Sequence, residues 1–345
     1  VPLREHIVTI ELKLHRFICQ RCGKMFRQTP IGMDLKRSMT IRCVEWIRQQ
    51  SLCAPFSHVA EDTGCSEKVV REIAYEHIKE LERNYRPSMP HWLGINESYL
   101  DGRIEEPLCL LIDLENRKLI EILPNCRLDT LVSRLSSFDD ASQLRGVCMD
   151  LCEKYRMAVK RVFPAAQIGI DKFQVLRWAN KAVDRVRLHI GKLHPSERNL
   201  DDWKPCQALL RKRGHSLSSH DRKMLNCYLF RHPEIATAYY LKEEFSNIYN
   251  CGSRSDAIAA LEKWEQSVPE SMRRAFKELL KVLTDWRNEI LTYFVNEKTL
   301  AHTEAINGQI QDAFRAGERY SFEILRGKLL FGGQAPRSRS RRRAA

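Results

Sequence analysis

Two carboxylates sit where short apolar runs stop. Residues 147–149 end on Asp150 and residues 168–170 end on Asp171, and each run passes straight into a helical pattern. In open α/β sheets, functional groups collect at the carboxyl ends of strands, which makes Asp150 and Asp171 the first candidates for chemistry. Asp171 has two open readings: a metal ligand, or the cap of the helix that starts at Lys172. A different chemistry is written in Cys19-Gln20-Arg21-Cys22-Gly23. Two thiolates in a C-x-x-C-G turn can face one Zn²⁺, with the glycine relieving backbone strain in the knuckle. One such pair is half of a tetrahedral site; two free cysteines in a hairpin is the alternative.

The elements that must position the aspartates follow from periodicity. Tyr155, Ala158, Val159 and Val162 recur at i, i+3, i+4 and i+7, with Lys154, Arg156, Lys160 and Arg161 on the other faces, which predicts a helix between the two runs. A long basic helix follows Asp171. Upstream, residues 92–95, 108–112 and 119–123 read as strands, joined by turns at Asp101-Gly102 and Asn116-Arg117. They predict an antiparallel meander, and a helix over about residues 129–135 comes next. Three antiparallel strands, a helix and two further strands beside the first is the order of an RNase H-like fold. Such folds hold acids on the first and fourth strands so that two Mg²⁺ ions bind between them. One ion serves the attacking oxygen and the other the leaving oxygen of a phosphodiester.

The totals agree with a nucleic-acid partner. The 345 residues are enough for two or three domains, and 43% hydrophobic with 29% charged residues describes an ordinary globular chain. The formal net charge of +13 favours a polyanion. No run is long enough to span a bilayer and no signal peptide is visible, which points to the cytosol, where the DNA is. Twelve cysteines without a regular framework predict reduced thiols. The chain starts at Val1, almost inside an alternating pattern over residues 7–14 that reads as a strand, so a natural start upstream is expected.

Residues 1–30 thus read as a partial zinc ribbon. Residues 31–83 read as a helix-turn-helix DNA-binding domain. Val59 and Ala60 pack in its first helix, Gly64 makes the turn, Ser66 caps the second helix, and Val69, Val70 and Ile73 face inward. Lys68, Arg71 and Glu72 are left outward for base edges and phosphates. Residues 84–91, with two prolines, read as a linker. The core's first part spans 92–192. The stretch from Asp171 to Glu304 is far longer than a fold connection needs. Its apolar faces, among them Leu225, Tyr228, Phe245, Trp264, Phe276 and Trp286, predict an all-helical insertion over 193–298. Lys204, Arg211, Lys212, Arg213, Arg222 and Lys223 form either a phosphate-binding face or a solvated one. Residues 299–331 return to the core, where Glu304 and Asn307 share a helix face at i, i+3. The tail, 332–345, holds five arginines and no acid, a composition that predicts disorder when free and affinity for a nucleic-acid backbone.

Leu93-Gly94-Ile95-Asn96-Glu97, Val147-Cys148-Met149-Asp150, Ile170-Asp171-Lys172-Phe173-Gln174-Val175, Trp178-Ala179-Asn180 and Thr303-Glu304-Ala305-Ile306-Asn307-Gly308 together resemble the DDE transposases of the ISL3 insertion-sequence family. The resemblance covers nearly the whole chain and implies an α/β protein. Its core would be a mixed five-stranded RNase H-like sheet with the helical insertion, behind a zinc-ribbon remnant and a helix-turn-helix. It further implies a bacterial enzyme that binds terminal inverted repeats as a homodimer and cuts and rejoins DNA with Mg²⁺ or Mn²⁺. Asp150 matches the second catalytic position and Glu304 the third. Asn96 falls where the family has its first aspartate. Its amide oxygen can ligate Mg²⁺ but carries no charge, so a weakened or dead site is expected. Glu97 points to the other face of its strand, and Asp101 reaches the site only with a local shift. The alternative is a catalytically inactive DNA-binding protein or repressor on a transposase scaffold; an RNase H-like nuclease acting on RNA or on a junction is a third reading.

Overall fold

The computed structural model describes residues 10–28, 30–100, 106–196, 203–300, 303–317 and 320–334. The expected turn at Asp101-Gly102 and the basic tail from residue 335 lie outside the described residues. Strands β1 (Arg16–Ile18) and β2 (Met25–Arg27) form an antiparallel hairpin that pairs Phe17 with Phe26. Of the strand expected over 7–14, residues 7–9 lie outside the described residues, and the rest is corrected: residues 10–14 carry no strand, and Ile10, Leu12 and Leu14 stay exposed. An alternating pattern becomes a strand only where a second segment takes up its backbone groups, and the ladder starts at Arg16. A second small hairpin, β3 (Met33–Asp34) with β4 (Met39–Thr40), leads into α1 (Ile41–Cys53), where the Thr40 side chain accepts from the Cys43 amide.

Helix α2 (Phe56–Thr63) stops at Gly64, whose φ of 69° ends the helix at no Cβ cost. Helix α3 (Glu67–Asn84) restarts behind Ser66, which accepts from the Val69 amide. Val44, Ile47, Phe56, Val59, Val70 and Ile73 fill the core of these three helices.

The central sheet is built from β5 (Trp92–Ser98), β6 (Leu108–Asp113) and β7 (Lys118–Leu123), then α4 (Leu128–Ser136), β8 (Gly146–Met149), α5 (Glu153–Val162), β9 (Gln167–Ile170) and α6 (Lys172–Leu193). Its order is β7-β6-β5-β8-β9, antiparallel in the meander and parallel from β5 through β8 to β9. Both faces are covered, and the strands read as near-continuous apolar runs for that reason. Leu93, Ile95, Val147, Met149 and Ile170 pack on one side with Leu131, Tyr155 and Val159. Leu108, Leu110, Ile112 and Ile122 pack on the other with Ile306, Ile310 and Leu325.

The insertion is helical, as expected: α7 (Trp203–Arg211), α8 (Ser219–Arg231), α9 (Pro233–Ile248), α10 (Arg254–Ser267), α11 (Glu270–Asp285), α12 (Arg287–Leu291) and α13 (Tyr293–Asn296). Its aromatic residues Trp203, Tyr228, Phe245, Trp264 and Phe276 belong to the same buried cluster as the strands. Helix α6 carries that continuity, since it leaves the sheet and packs on α9 and α11.

The last elements, α14 (Thr303–Ala316) and α15 (Phe322–Phe331), close the fold. Helix α15 lies between the N-terminal helices and the sheet. Ile324 enters the first core and Leu325 the second. Gly327 lies so close to Ile78 that a Cβ there would stand 2.5 Å from its Cγ2. Buried Glu121 of β7 accepts from Arg326 Nε at 2.6 Å and Nη2 at 2.8 Å, and pairs with Arg134 at 2.8 Å. Arg326 also reaches Glu82 of α3. The segment expected as a linker, 84–91, is packed rather than loose: Tyr85 donates to the Ile120 carbonyl at 2.6 Å, and Met89 and Pro90 are buried.

Candidate active site

The parallel register makes the site. Ile95 pairs with Met149 and Met149 with Ile170, and the next residues along the three strands are Asn96, Asp150 and Asp171. In-register neighbours on parallel strands project to one face, which puts the amide and both carboxylates in one row at the carboxyl end of the sheet. They line an open cleft of about 650 Å³ together with Glu97, Tyr99, Gln174, Arg177, Trp178, Lys181 and Asn307, among others.

Each member of the row has a distinct environment. Gln174 Nε2 donates to Asp150 Oδ1 at 2.7 Å, and Arg177 Nη1 donates to Gln174 Oε1 at 2.9 Å. Burial pushes the Asp150 carboxyl up to about 7, helped by the charges of Asp171 and Glu97 and opposed by Gln174 and Arg177. Asp171 precedes α6 as its N-cap residue without a side-chain cap bond, and its Oδ1 instead accepts from the Leu300 amide at 3.2 Å. The capping reading is therefore set aside, and the carboxylate holds down the segment entering α14. Glu97 turns its carboxylate to two phenols, Tyr155 at 3.0 Å and Tyr99 at 2.8 Å. It leaves β5 on the face opposite to Asn96, as alternation requires, although its charge still reaches Asp150.

Helix α14 carries Glu304 one turn before Asn307. The Glu304 side chain, like Asp101, lies outside what is described. Asn307 lines the cleft, and its buried Oδ1 has no hydrogen-bond partner. Among the described residues, no group of three or more His, Cys, Asp or Glu side chains could hold a metal ion. The row's own oxygens nevertheless fit a hard divalent cation. Asp150 is held toward its neutral form by burial and neighbouring charge, and Asn307 offers an amide oxygen that nothing else satisfies.

The other residues singled out from sequence fall elsewhere. Cys19 and Cys22 lie at the hairpin turn, where the Gly23 amide donates to the Cys19 carbonyl at 2.8 Å. Backbone amides of Cys22 and Arg21 pull the Cys19 thiol below its usual range. Lys68 is exposed on α3, while Arg71 pairs with Glu67 at 2.7 Å and lies over the Phe56 ring. Lys204 is exposed on α7, and three of its expected companions also have partners within the chain. Arg211 pairs with Asp184 at 2.5 Å, Lys212 with Asp221 at 3.5 Å, and Arg213 bonds Asn247 at 2.7 Å. Gln174, Arg177 and Lys181 were not singled out for the site from sequence. Their signal is present all the same, since 174, 177 and 181 fall at i, i+3, i+7 directly after an acid-ended strand.

A mixed five-stranded sheet with polar groups gathered at the ends of β5 and β8, beside a late helix, fits the RNase H-like class of core. The family model DDE_Tnp_ISL3, described as Transposase, matches residues 93–326, most of the chain and every element of the site. The chain belongs to this ISL3 family of transposases. A comparison with curated proteins gives no match. No helix among the described residues is long and apolar enough to cross a membrane.

Proposed function

We propose that this transposase cuts and rejoins DNA at the cleft between β5, β8 and α14, after recognising the terminal inverted repeats of its element. The observation that carries the reading is the row Asn96, Asp150 and Asp171 in continuous parallel register, facing the orphan amide of Asn307. Asp150, Asn96 and Glu304 would hold Mg²⁺ or Mn²⁺, which supply the charge that stabilises the entering and leaving oxygens of a phosphodiester in two-metal phosphoryl transfer. The chain's own groups prepare that site. Gln174 fixes the Asp150 carboxylate by its 2.7 Å bond, Arg177 orients Gln174, and Asp171 anchors the backbone at Leu300 that leads to the glutamate helix. Lys68 and Arg71 on α3 would contact the element's ends, with Lys204, Arg211, Lys212 and Arg213 as a further basic face. Two ends must be handled together, so a homodimer on DNA is part of the proposal. Zn²⁺ would sit at Cys19 and Cys22, which supply two thiolates of a tetrahedral site.

Asn96 favours a second reading. A neutral ligand in place of a carboxylate weakens the hold on the ion, which leaves a DNA-binding protein or repressor on the same scaffold. The two readings separate when the protein and its Asn96→Asp variant are compared on a labelled duplex carrying the element's end, with Mg²⁺ or Mn²⁺. Cutting by the variant alone supports the assignment, with the asparagine as a lesion. Cutting by both means another carboxylate completes the site, with Asp101 first in line. Binding without cutting by either supports the second reading.

A further inference from the structure

The cleft has a second wall, made by the first turns of α6. Phe173 is 47% exposed, and Arg177 and Lys181 follow it at i+4 and i+8 on the same face, with Trp178 beside them. All four line the cleft that holds Asn96, Asp150 and Asp171. The opposite face of α6 is ordinary core, with Val175, Ala179, Ala182, Val183 and Val186 buried. Helix α6 therefore leaves the exposed Phe173 ring at the mouth of a polar cleft. Lys181 Nζ stands 4.0 Å over the Trp178 ring, and Arg177 donates to the neutral amide of Gln174. Neither cation is in an ion pair among the described residues.

We propose that this wall is a shelf for one unpaired nucleotide of the DNA strand being processed, with its base stacked on Phe173 and its flanking phosphates on Arg177 and Lys181. The inference rests on the DNA-processing reading of the cleft. An aromatic face flanked by cations suits a nucleotide because the base is a flat apolar ring and its linkages are anionic. Paired duplex presents no free base face, so the occupant is an unstacked or single-stranded nucleotide. Its phosphate is then held against the row of oxygens on the facing wall. Among the described residues the cleft's carboxylates, Glu97, Asp150 and Asp171, lie outside α6, so the α6 wall itself presents only positive charge to an anionic linkage. An apolar protein segment would leave Arg177 and Lys181 buried without counter-charge.

The test uses the full chain and two probes ending in the element's terminal sequence. One is a blunt duplex; the other carries a short unpaired tail with a single 2-aminopurine. The protein is expected to quench the tail's fluorescence and to bind the tailed probe roughly tenfold more tightly than the blunt one. Phe173→Ala should lose that preference while keeping its affinity for blunt duplex, and Phe173→Trp should restore it. Arg177→Gln with Lys181→Gln should lower the salt dependence for the tailed probe only. The same probes with an unrelated terminal sequence separate the sources: preference confined to the element's sequence assigns the shelf to the cut element strand, and equal preference assigns it to target DNA. Preference retained by Phe173→Ala overturns the shelf. Equal binding of tailed and blunt probes by the unaltered protein overturns it too, while leaving the DNA-processing reading intact. Failure to bind any DNA overturns that reading itself.

Discussion

Asn96 and Asp150 stand side by side one residue past the Ile95–Met149 pair, on neighbouring parallel strands. The relationship joins a residue that cannot carry charge to one whose charge is disfavoured. The neutral amide leaves Asp150 to share the cleft with Asp171 and Glu97, and burial raises its carboxyl to about 7.

That shift fixes a pH dependence. Asp150 has a native pKa of about 7 against 3.8 for an ordinary aspartate. Through that window the native state keeps a proton that the unfolded chain has released, so stability falls as pH rises toward the native value and stays lower above it. Asp150→Asn removes the ionisation. Its stability relative to the parent should improve by on the order of 2 kcal/mol between the low and high ends of the window, a figure discounted for water in the cleft. Urea titrations at both ends measure it, and a constant difference would sink the idea.

Divalent ions should compensate the same charge. Mn²⁺ or Mg²⁺ is expected to raise the melting temperature above neutral pH, with a gain of about 1.4 kcal/mol when free ion is tenfold above its dissociation constant. Asn96→Asp should strengthen the response and Asp150→Ala remove it. An equal rise in all three proteins would mean that the ion acts elsewhere.

Glu121 tests how the core holds the N-terminal helices. It is 2% exposed and holds both Arg326 and Arg134. Glu121→Ala leaves two guanidinium groups without their shared counter-ion and should cost about 3–5 kcal/mol in denaturant titration. A loss below 1 kcal/mol, the usual worth of an exposed pair, would show that water replaces the carboxylate.

Gly327 makes a steric version of the same test. Gly327→Val drives a side chain into Ile78 and should destabilise by about 1–3 kcal/mol. Ile78→Ala, harmful alone, should recover part of that loss when combined with it. Additive losses would mean that α15 shifts rather than overpacks.

Much of this was readable from residues in order. Apolar runs ending on Asp150 and Asp171, the turn at Asn116-Arg117 and the Ser66 cap gave strands and helices close to those observed, because each depends on neighbours within a few positions. The order of elements was enough to suggest the sheet and its family. Residues 10–14 misled because alternation specifies a face, not a partner strand, and no strand among the described residues pairs with them. The acids that pair with Arg211, Lys212 and Arg213, namely Asp184, Asp221 and Glu243, lie outside the basic run and could not be read from it.

What the sequence determined by itself was the inventory: acids at strand ends, the amide of Asn96, and a long helical insertion. Only the tertiary structure decided which groups meet. Parallel pairing set Asn96 beside Asp150, the entry to α14 took Asp171 as its anchor, and α6 turned Phe173 and Arg177 into the cleft. Glu121 and Arg326, far apart in the chain, became the joint between sheet and N-terminal helices. The physical reason is that periodicity fixes which face a side chain leaves from, whereas register and packing across distant segments fix what stands opposite it.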